Sequence, residues 1–214
     1  YHLNVLNILS KLNRRPISMI PVFHVEKLHL DKNYQKLLSF CQSYHKVTGA
    51  RPVLTCMTPH SPILDRSLAR NSFPSERYWE RIESLKGFGI IGLHGHYVRN
   101  FESDNPLPMH SHFFDLDCIK QQINTELQSL TARNLLDEDN FSYSGGWWFT
   151  SNELRSYLST LGFVWDFTVS SSAYNKSQGS VSLPTIKRDG MVIQKFGDKI
   201  LRSPVAVSSI SMKS

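Results

Sequence analysis

The sequence predicts an α/β fold built on a mainly parallel sheet, and three observations carry that expectation. Short apolar runs alternate with amphipathic stretches of helical period, in strand–helix–strand–helix order. Histidines stand at the ends of apolar runs, where βα folds and βα barrels place their chemistry. The 214 residues, 40% of them hydrophobic, suffice for one sizeable core.

Residues 3–9 have helical spacing but neither a preceding basic region nor an Ala-x-Ala site, so they read as a peripheral helix rather than a signal peptide. We therefore divide the chain into an N-terminal helix and linker, 1–16, and one domain, 17–214. Residues 18–23 read as a buried strand, with Pro21 where no ladder donor is needed. A helix follows with Tyr34, Leu37, Leu38, Cys41, Tyr44 and Val47 on one face, closed by Gly49 as a left-handed cap. Residues 52–57 form a second strand that runs into a Pro-rich loop, 58–62. Ser75 then caps a helix with Tyr78, Trp79, Ile82 and Leu85 inward and Gly87 after it.

Residues 88–93 are a third strand leading into His94-Gly95-His96, and a loop rich in Pro, Asn and His continues to about Phe114. The longest helix runs from about Leu116 to Asn134, with Ile119, Ile123, Leu127 and Leu130 on its buried stripe. Residues 141–144 are a short strand ending at Gly145-Gly146. Thr150-Ser-Asn-Glu153 is a capping box that opens a helix bearing Leu154, Tyr157, Leu158 and Leu161, stopped by Gly162. Residues 163–169 are the next strand. A Ser/Asn/Gly-rich loop at 170–180 leads to a β-rich C-terminal part with runs near 182–186, 191–196 and 200–207.

Composition bounds the partners. The net charge of +6 is scattered without a patch or stripe, so nucleic acid is not expected, and an acidic substrate-mimicking surface is excluded. No apolar run approaches the ~18 residues of a membrane span. Three cysteines, at 41, 56 and 118, form no CxxC pair, which suits core thiols in a reducing compartment.

Two runs carry candidate chemistry. In Phe23-His24-Val25-Glu26, alternation puts His24 and Glu26 on one face. In Leu93-His94-Gly95-His96-Tyr97, His94 and His96 share a face if the backbone stays extended. Three imidazoles and a carboxylate at strand ends suit Zn²⁺ or another divalent transition metal, the bland alternative being polar residues satisfied by nearby backbone. His60 follows a strand but sits among prolines, and His110 and His112 lie mid-loop as a rim of the pocket; His2, His29 and His45 carry no signal. Tyr143-Ser-Gly-Gly-Trp-Trp148 offers a tight turn with tryptophans that either stack on a sugar ring or fill the core. Asp166, among large apolar residues, should be paired or functional. There is no GxGxxG, Walker, HExxH or GxSxG signature.

The runs Phe23-His24-Val25-Glu26, Gly89-Ile-Ile-Gly-Leu-His-Gly-His-Tyr97, Phe141-Ser-Tyr-Ser-Gly-Gly-Trp147 and Leu161-Gly-Phe-Val-Trp-Asp-Phe167 follow a familiar order. Over residues 17–207 the chain resembles the polysaccharide deacetylases of the NodB-homology type, carbohydrate esterase family 4, in their divergent surface-polysaccharide branch. The resemblance implies a distorted (β/α) barrel with a divalent metal, usually zinc, in its mouth. A full barrel takes about 250 residues, so this one would be incomplete. The implied reaction is removal of an N- or O-acetyl group from a sugar or polysaccharide in the bacterial cytoplasm, or at the periphery of its membrane. On this reading His24, Glu26, His94 and His96 hold the metal, Glu26 and His96 also transfer protons, and His60, Arg99, Tyr143 and Trp147 meet the carbohydrate. The chain departs from the family pattern at four points. His24 stands where an acid is usual, Val98 stands four residues after His94, Tyr143 replaces an Arg, and no His follows His112. These departures support an alternative, a non-catalytic glycan-binding or scaffolding domain on the same fold.

Overall fold

The computed structural model describes residues 20–97, 114–137, 141–146, 149, 151–168, 192–196 and 199–203, and the structural statements below concern these. Strands β1 (Val22–Val25), β2 (Val53–Cys56), β3 (Ile90–Gly95), β4 (Ser142–Gly145) and β5 (Trp165–Asp166) are all parallel, in the order β1-β2-β3-β4-β5. Helices α1 (Asp31–Thr48), α2 (Pro62–Arg70), α3 (Ser75–Lys86), α4 (Leu116–Ala132) and α5 (Asn152–Thr160) lie in the crossovers. Each strand pairs with its predecessor, so the sheet advances in one direction and curls into a half-barrel instead of reversing as in doubly wound folds. A short antiparallel hairpin, β6 (Val192–Phe196) and β7 (Lys199–Ser203), forms a separate sheet.

Alternation sorts the strand residues into two faces. Val25, Leu54, Cys56, Ile91, Leu93 and Tyr143 join the core that the sheet shares with its helices. Leu37 and Cys41 of α1, Leu64 and Leu68 of α2, Ile82 and Leu85 of α3, Ile119 and Ile123 of α4, and Leu154 and Leu158 of α5 complete it. The other face carries His24, Thr55, Gly92, His94 and Ser144. The register sets His24 beside Thr55, Thr55 beside Gly92, and His94 beside Ser144.

Local expectations fail in instructive places. α2 has no counterpart in the sequence reading, whose Pro-rich loop ends at Pro62; Pro62 opens the helix at a position that needs no N–H, and Leu64 and Leu68, one turn apart, anchor it in the core. Ser75 is the first helical residue of α3, and Pro74 occupies the cap without a side-chain bond. The cap of α5 is Ser151, whose Oγ accepts from Leu154 N, so the capping pattern is shifted by one residue. Val47 is 65% exposed instead of inward, and Cys118, expected in the core, is exposed on the first turn of α4. β1 and β3 extend two residues further than expected, which takes His24 and His94 inside their strands. Gly49 does take the left-handed conformation at the end of α1, with φ +70°. The regions 1–16 and 182–186, like the loop histidines His110 and His112, lie outside the described residues.

Close strand packing imposes small residues. A Cβ on Gly92 would meet Ser142 Oγ at 2.0 Å and the Ser142 carbonyl oxygen at 2.6 Å. We expect Gly92→Ala to lose about 1–3 kcal/mol of stability in urea unfolding. Gly87→Ala has no described residue within 4 Å of the new methyl and a helical φ of −61°, so it should match the parent or gain up to about 1 kcal/mol.

Glu126 is fully buried on α4, where Gln122 Nε2 donates to its Oε1 at 2.9 Å. Its field reaches the buried hydroxyls of Tyr97 and Tyr143 on the helix side of the sheet. Burial raises the carboxyl from the ordinary 4.5 to about 8, against the opposing effect of the Gln122 bond. The folded chain thus holds this proton more tightly than the unfolded one. That stabilisation is complete below pH 4.5 and is lost as pH rises toward 8. Glu126→Gln removes the titration, so relative to the parent it should gain about 3–4 kcal/mol between pH 5 and pH 8.

Candidate metal centre

The C-terminal ends of β1 and β3 build the centre, separated by β2. The β2 residue between them is Thr55, paired with His24 on one side and Gly92 on the other. These short neighbours leave room for longer side chains to meet above them. Glu26, just past β1, reaches His94 inside β3 and His96 just past it. Glu26 Oε1 lies 3.1 Å from His94 Nε2 and 3.1 Å from His96 Nε2, and the two Nε2 atoms are 2.9 Å apart. His94 is 1% exposed and His96 7%, whereas the Glu26 side chain is 41% exposed.

The hydrogen-bond network decides which atoms carry protons. His94 Nδ1 lies 3.0 Å from the Ser144 carbonyl oxygen, which can only accept, so Nδ1 holds the proton. Ser144 Oγ, 2.6 Å from the same nitrogen, donates in turn to Thr55 Oγ1, and Thr55 Oγ1 donates to the Phe23 carbonyl. Burial pushes the His94 imidazole down to about 3, so the ring is neutral and Nε2 presents a bare lone pair. Burial works against the ionised form of Glu26, but the paired imidazoles beside it outweigh that and hold the carboxyl well below its usual range. Two acceptor atoms, His94 Nε2 and Glu26 Oε1, therefore face each other at 3.1 Å. A proton on His96 Nε2 or a cation among the three atoms relieves that repulsion.

Glycine packing holds His96 in place. A Cβ on Gly146 would lie 2.3 Å from the His96 ring, and one on Gly145 would meet the Phe149 carbonyl oxygen at 2.1 Å. The Gly-Gly pair thus admits an imidazole and a backbone approach. His24 lies alongside the three-atom set without joining it. Its ring is 4.8 Å from that of His94, tilted by 35°, and it hydrogen-bonds the backbone of Phe167 just beyond β5. That bond links the two edges of the curled sheet. Burial lowers the His24 pKa, opposed by the nearby Glu26 charge.

The centre opens into a cavity of about 340 Å³ lined by His24, Glu26, Lys27, His29, Met57, Ile63, Leu64, Ser67, His94, His96 and Gly145. Two expected carbohydrate contacts lie elsewhere. Tyr143 is fully buried on the opposite face of its strand, its ring against Phe163, because alternation sends it to the helix side while Ser144 faces the centre. His60 is exposed and tilted over Trp79 at 6.0 Å, outside the cavity lining. Arg99 and Trp147 lie outside the described residues. Asp166 is paired: Arg155 Nε donates to it at 3.2 Å, and Thr168 N donates at 2.9 Å. Sequence reasoning missed Thr55 and Ser144, which only cross-strand register identifies. It also missed the wall from α2, and His29, whose burial at 9% exposure depends on that wall.

Two imidazoles and a carboxylate form a donor set that divalent transition metals use. Donors bound to one such ion at 2.0–2.2 Å stand about 2.8–3.5 Å from one another, and the three separations fall within that range. His94 also has the outer hydrogen bond that orients a ligating imidazole. The residues fit a divalent ion, with Glu26, His94 and His96 as its holders.

Zinc titration against a chromophoric chelator tests this set. We expect Glu26→Ala, His94→Ala and His96→Ala each to weaken zinc by about a hundredfold or more. Ser144→Ala, which leaves the carbonyl acceptor, should weaken it roughly tenfold. Unchanged affinity in His94→Ala would remove the site.

Comparison of the chain with protein-family models, with curated proteins and with solved structures found no match.

Proposed function

We propose that the protein is a metal-dependent hydrolase that removes an acetyl group from a sugar, acting in bacterial surface-polysaccharide assembly. The observation that carries the metal half of this reading is the convergence of Glu26 Oε1, His94 Nε2 and His96 Nε2 at the strand ends. The sugar half is supported by the order of the His-Val-Glu, Gly-Leu-His-Gly-His-Tyr and Tyr-Ser-Gly-Gly runs. A divalent ion held by the three residues, zinc being our expectation, would supply Lewis-acid polarisation of a carbonyl and a more acidic water.

The chain's own groups divide the remaining work. Glu26 uses Oε1 toward the two histidines, and its side chain is half-exposed in the cavity, so Oε2 is placed to take a proton from water. His24 lines the same cavity outside the three-atom set and is the imidazole we assign to accept that proton from Glu26 and pass it on to the leaving group. This changes the role expected from sequence, in which His96 shared the proton transfer. Met57, Ile63 and Leu64 form an apolar wall that limits water beside the reacting group.

Acetate release from N-acetylated and O-acetylated monosaccharides, assayed with and without zinc, tests the reading. We expect release with zinc, loss on chelation, and at least a hundredfold fall in kcat in Glu26→Gln, with His24→Gln slowed about tenfold to a hundredfold. Saccharide binding that survives chelation with no acetate formed under any condition would overturn hydrolysis in favour of a glycan-binding domain. His24 in the place of an acid is the feature that favours that second reading.

A further inference from the structure

The cavity is also lined by polar side chains that the proposed chemistry does not use. Lys27, adjacent to Glu26 in the chain, lines the cavity with an exposed ammonium that makes no ion pair among the described residues. His29 lines it too, only 9% exposed, with Nδ1 lacking a hydrogen-bond partner among the described residues. Its Nε2 lies 3.4 Å from the hydroxyl of Ser67, which α2 carries into the same lining. Glu26, the sole carboxylate of the lining among the described residues, is engaged by His94 and His96. Arg81, whose charge also reaches His29, is itself paired with Asp31. A cationic group and two polar side chains thus share one cavity with the donor set.

We infer that Lys27, together with the His29–Ser67 pair, forms a subsite for an anionic oxygen group on the substrate, so that the sugar bound is an acid or a phosphate ester instead of a neutral one. The inference rests on the proposed sugar-directed function for its substrate class. It is independent of whether hydrolysis occurs. An oxyanion beside these side chains supplies the counter-charge that Lys27 lacks among the described residues, and it accepts hydrogen bonds from hydroxyl and ring N–H donors. The cavity volume of about 340 Å³ suits a single ring.

Calorimetric titration of the full chain tests the subsite with three probes of similar size: N-acetylglucosamine, N-acetylglucosamine 1-phosphate and N-acetylmuramic acid. Protein stripped of metal is used, so that phosphate or carboxylate binding to an ion does not contribute. We expect at least one anionic sugar to bind about tenfold or more tightly than the neutral one, with the preference falling as salt rises. The tighter of the two identifies phosphate or carboxylate as the source of the charge. Lys27→Met should abolish the preference, while Lys36→Met, an exposed charge on α1 outside the lining, should keep it. Equal binding of the three probes, binding of none at millimolar concentration, or a preference that survives Lys27→Met overturns the subsite. Anionic preference with Lys27 dependence but no acetate release upholds the subsite and sinks the hydrolase. Acetate release without anionic preference does the reverse.

Discussion

The hydrogen bond from His94 Nδ1 to the Ser144 carbonyl determines what the rest of the site can be. It crosses from β3 to β4 at the position where the two residues are paired in register, so the sheet itself sets the ring's orientation. With that proton committed and the ring neutral, the bare Nε2 has to face Glu26 and His96. A carboxylate oxygen and an imidazole lone pair at 3.1 Å are repulsive unless something positive lies between them or next to them. The Ser144–Thr55–Phe23 chain behind the ring carries this orientation across two further strand contacts. An unpaired polar group there would be costly, so the network resists rotation of the imidazole.

That bond would be of no use on a flat or doubly wound sheet. β1 and β3 are not neighbours, and their side chains meet because the β2 residue between them is Thr55 and because the sheet curls. The curl also brings His24 of β1 to the backbone of Phe167 beyond β5, the far edge of the same sheet. His24 serves the architecture with that bond, which explains why it stands beside the donor set instead of within it. Behind the sheet, the buried Glu126 with Tyr97 and Tyr143 forms a polar group on the opposite face of the residues that frame the centre. The half-barrel thus separates two kinds of buried polarity, one open to a cavity and one enclosed by α4.

Much of the site was legible because alternation needs no tertiary information. His24 and Glu26 share a face, as do His94 and His96, from spacing alone, and three of those four side chains converge. Tyr143 shows where such reasoning stopped. It is expected from sequence to meet the carbohydrate, but the one-residue parity of a strand sends Tyr143 to the core and Ser144 to the centre. His29 is the converse case. No pattern marked it, and it matters only because α2, opened by Pro62 and anchored through Leu64 and Leu68, folds over it with Ser67. The shifted caps at Pro74 and Ser151 belong to the same class, since several polar residues near a helix start compete for one geometric position.

The sequence by itself determined the alternation of strands and helices, the faces of each strand and the pairing of donors two residues apart, because these follow from local periodicity. Tertiary structure alone decided the strand order, the distances that draw Glu26 to His94 and His96, the tautomer of His94 and the exclusion of His24, Tyr143 and His60 from the roles expected of them. Those outcomes depend on cross-strand register, sheet curvature and burial, which arise between residues 50 to 90 positions apart in such pairs as His94–Ser144, Glu26–His96 and Thr55–Ser144. No window along the chain contains that information.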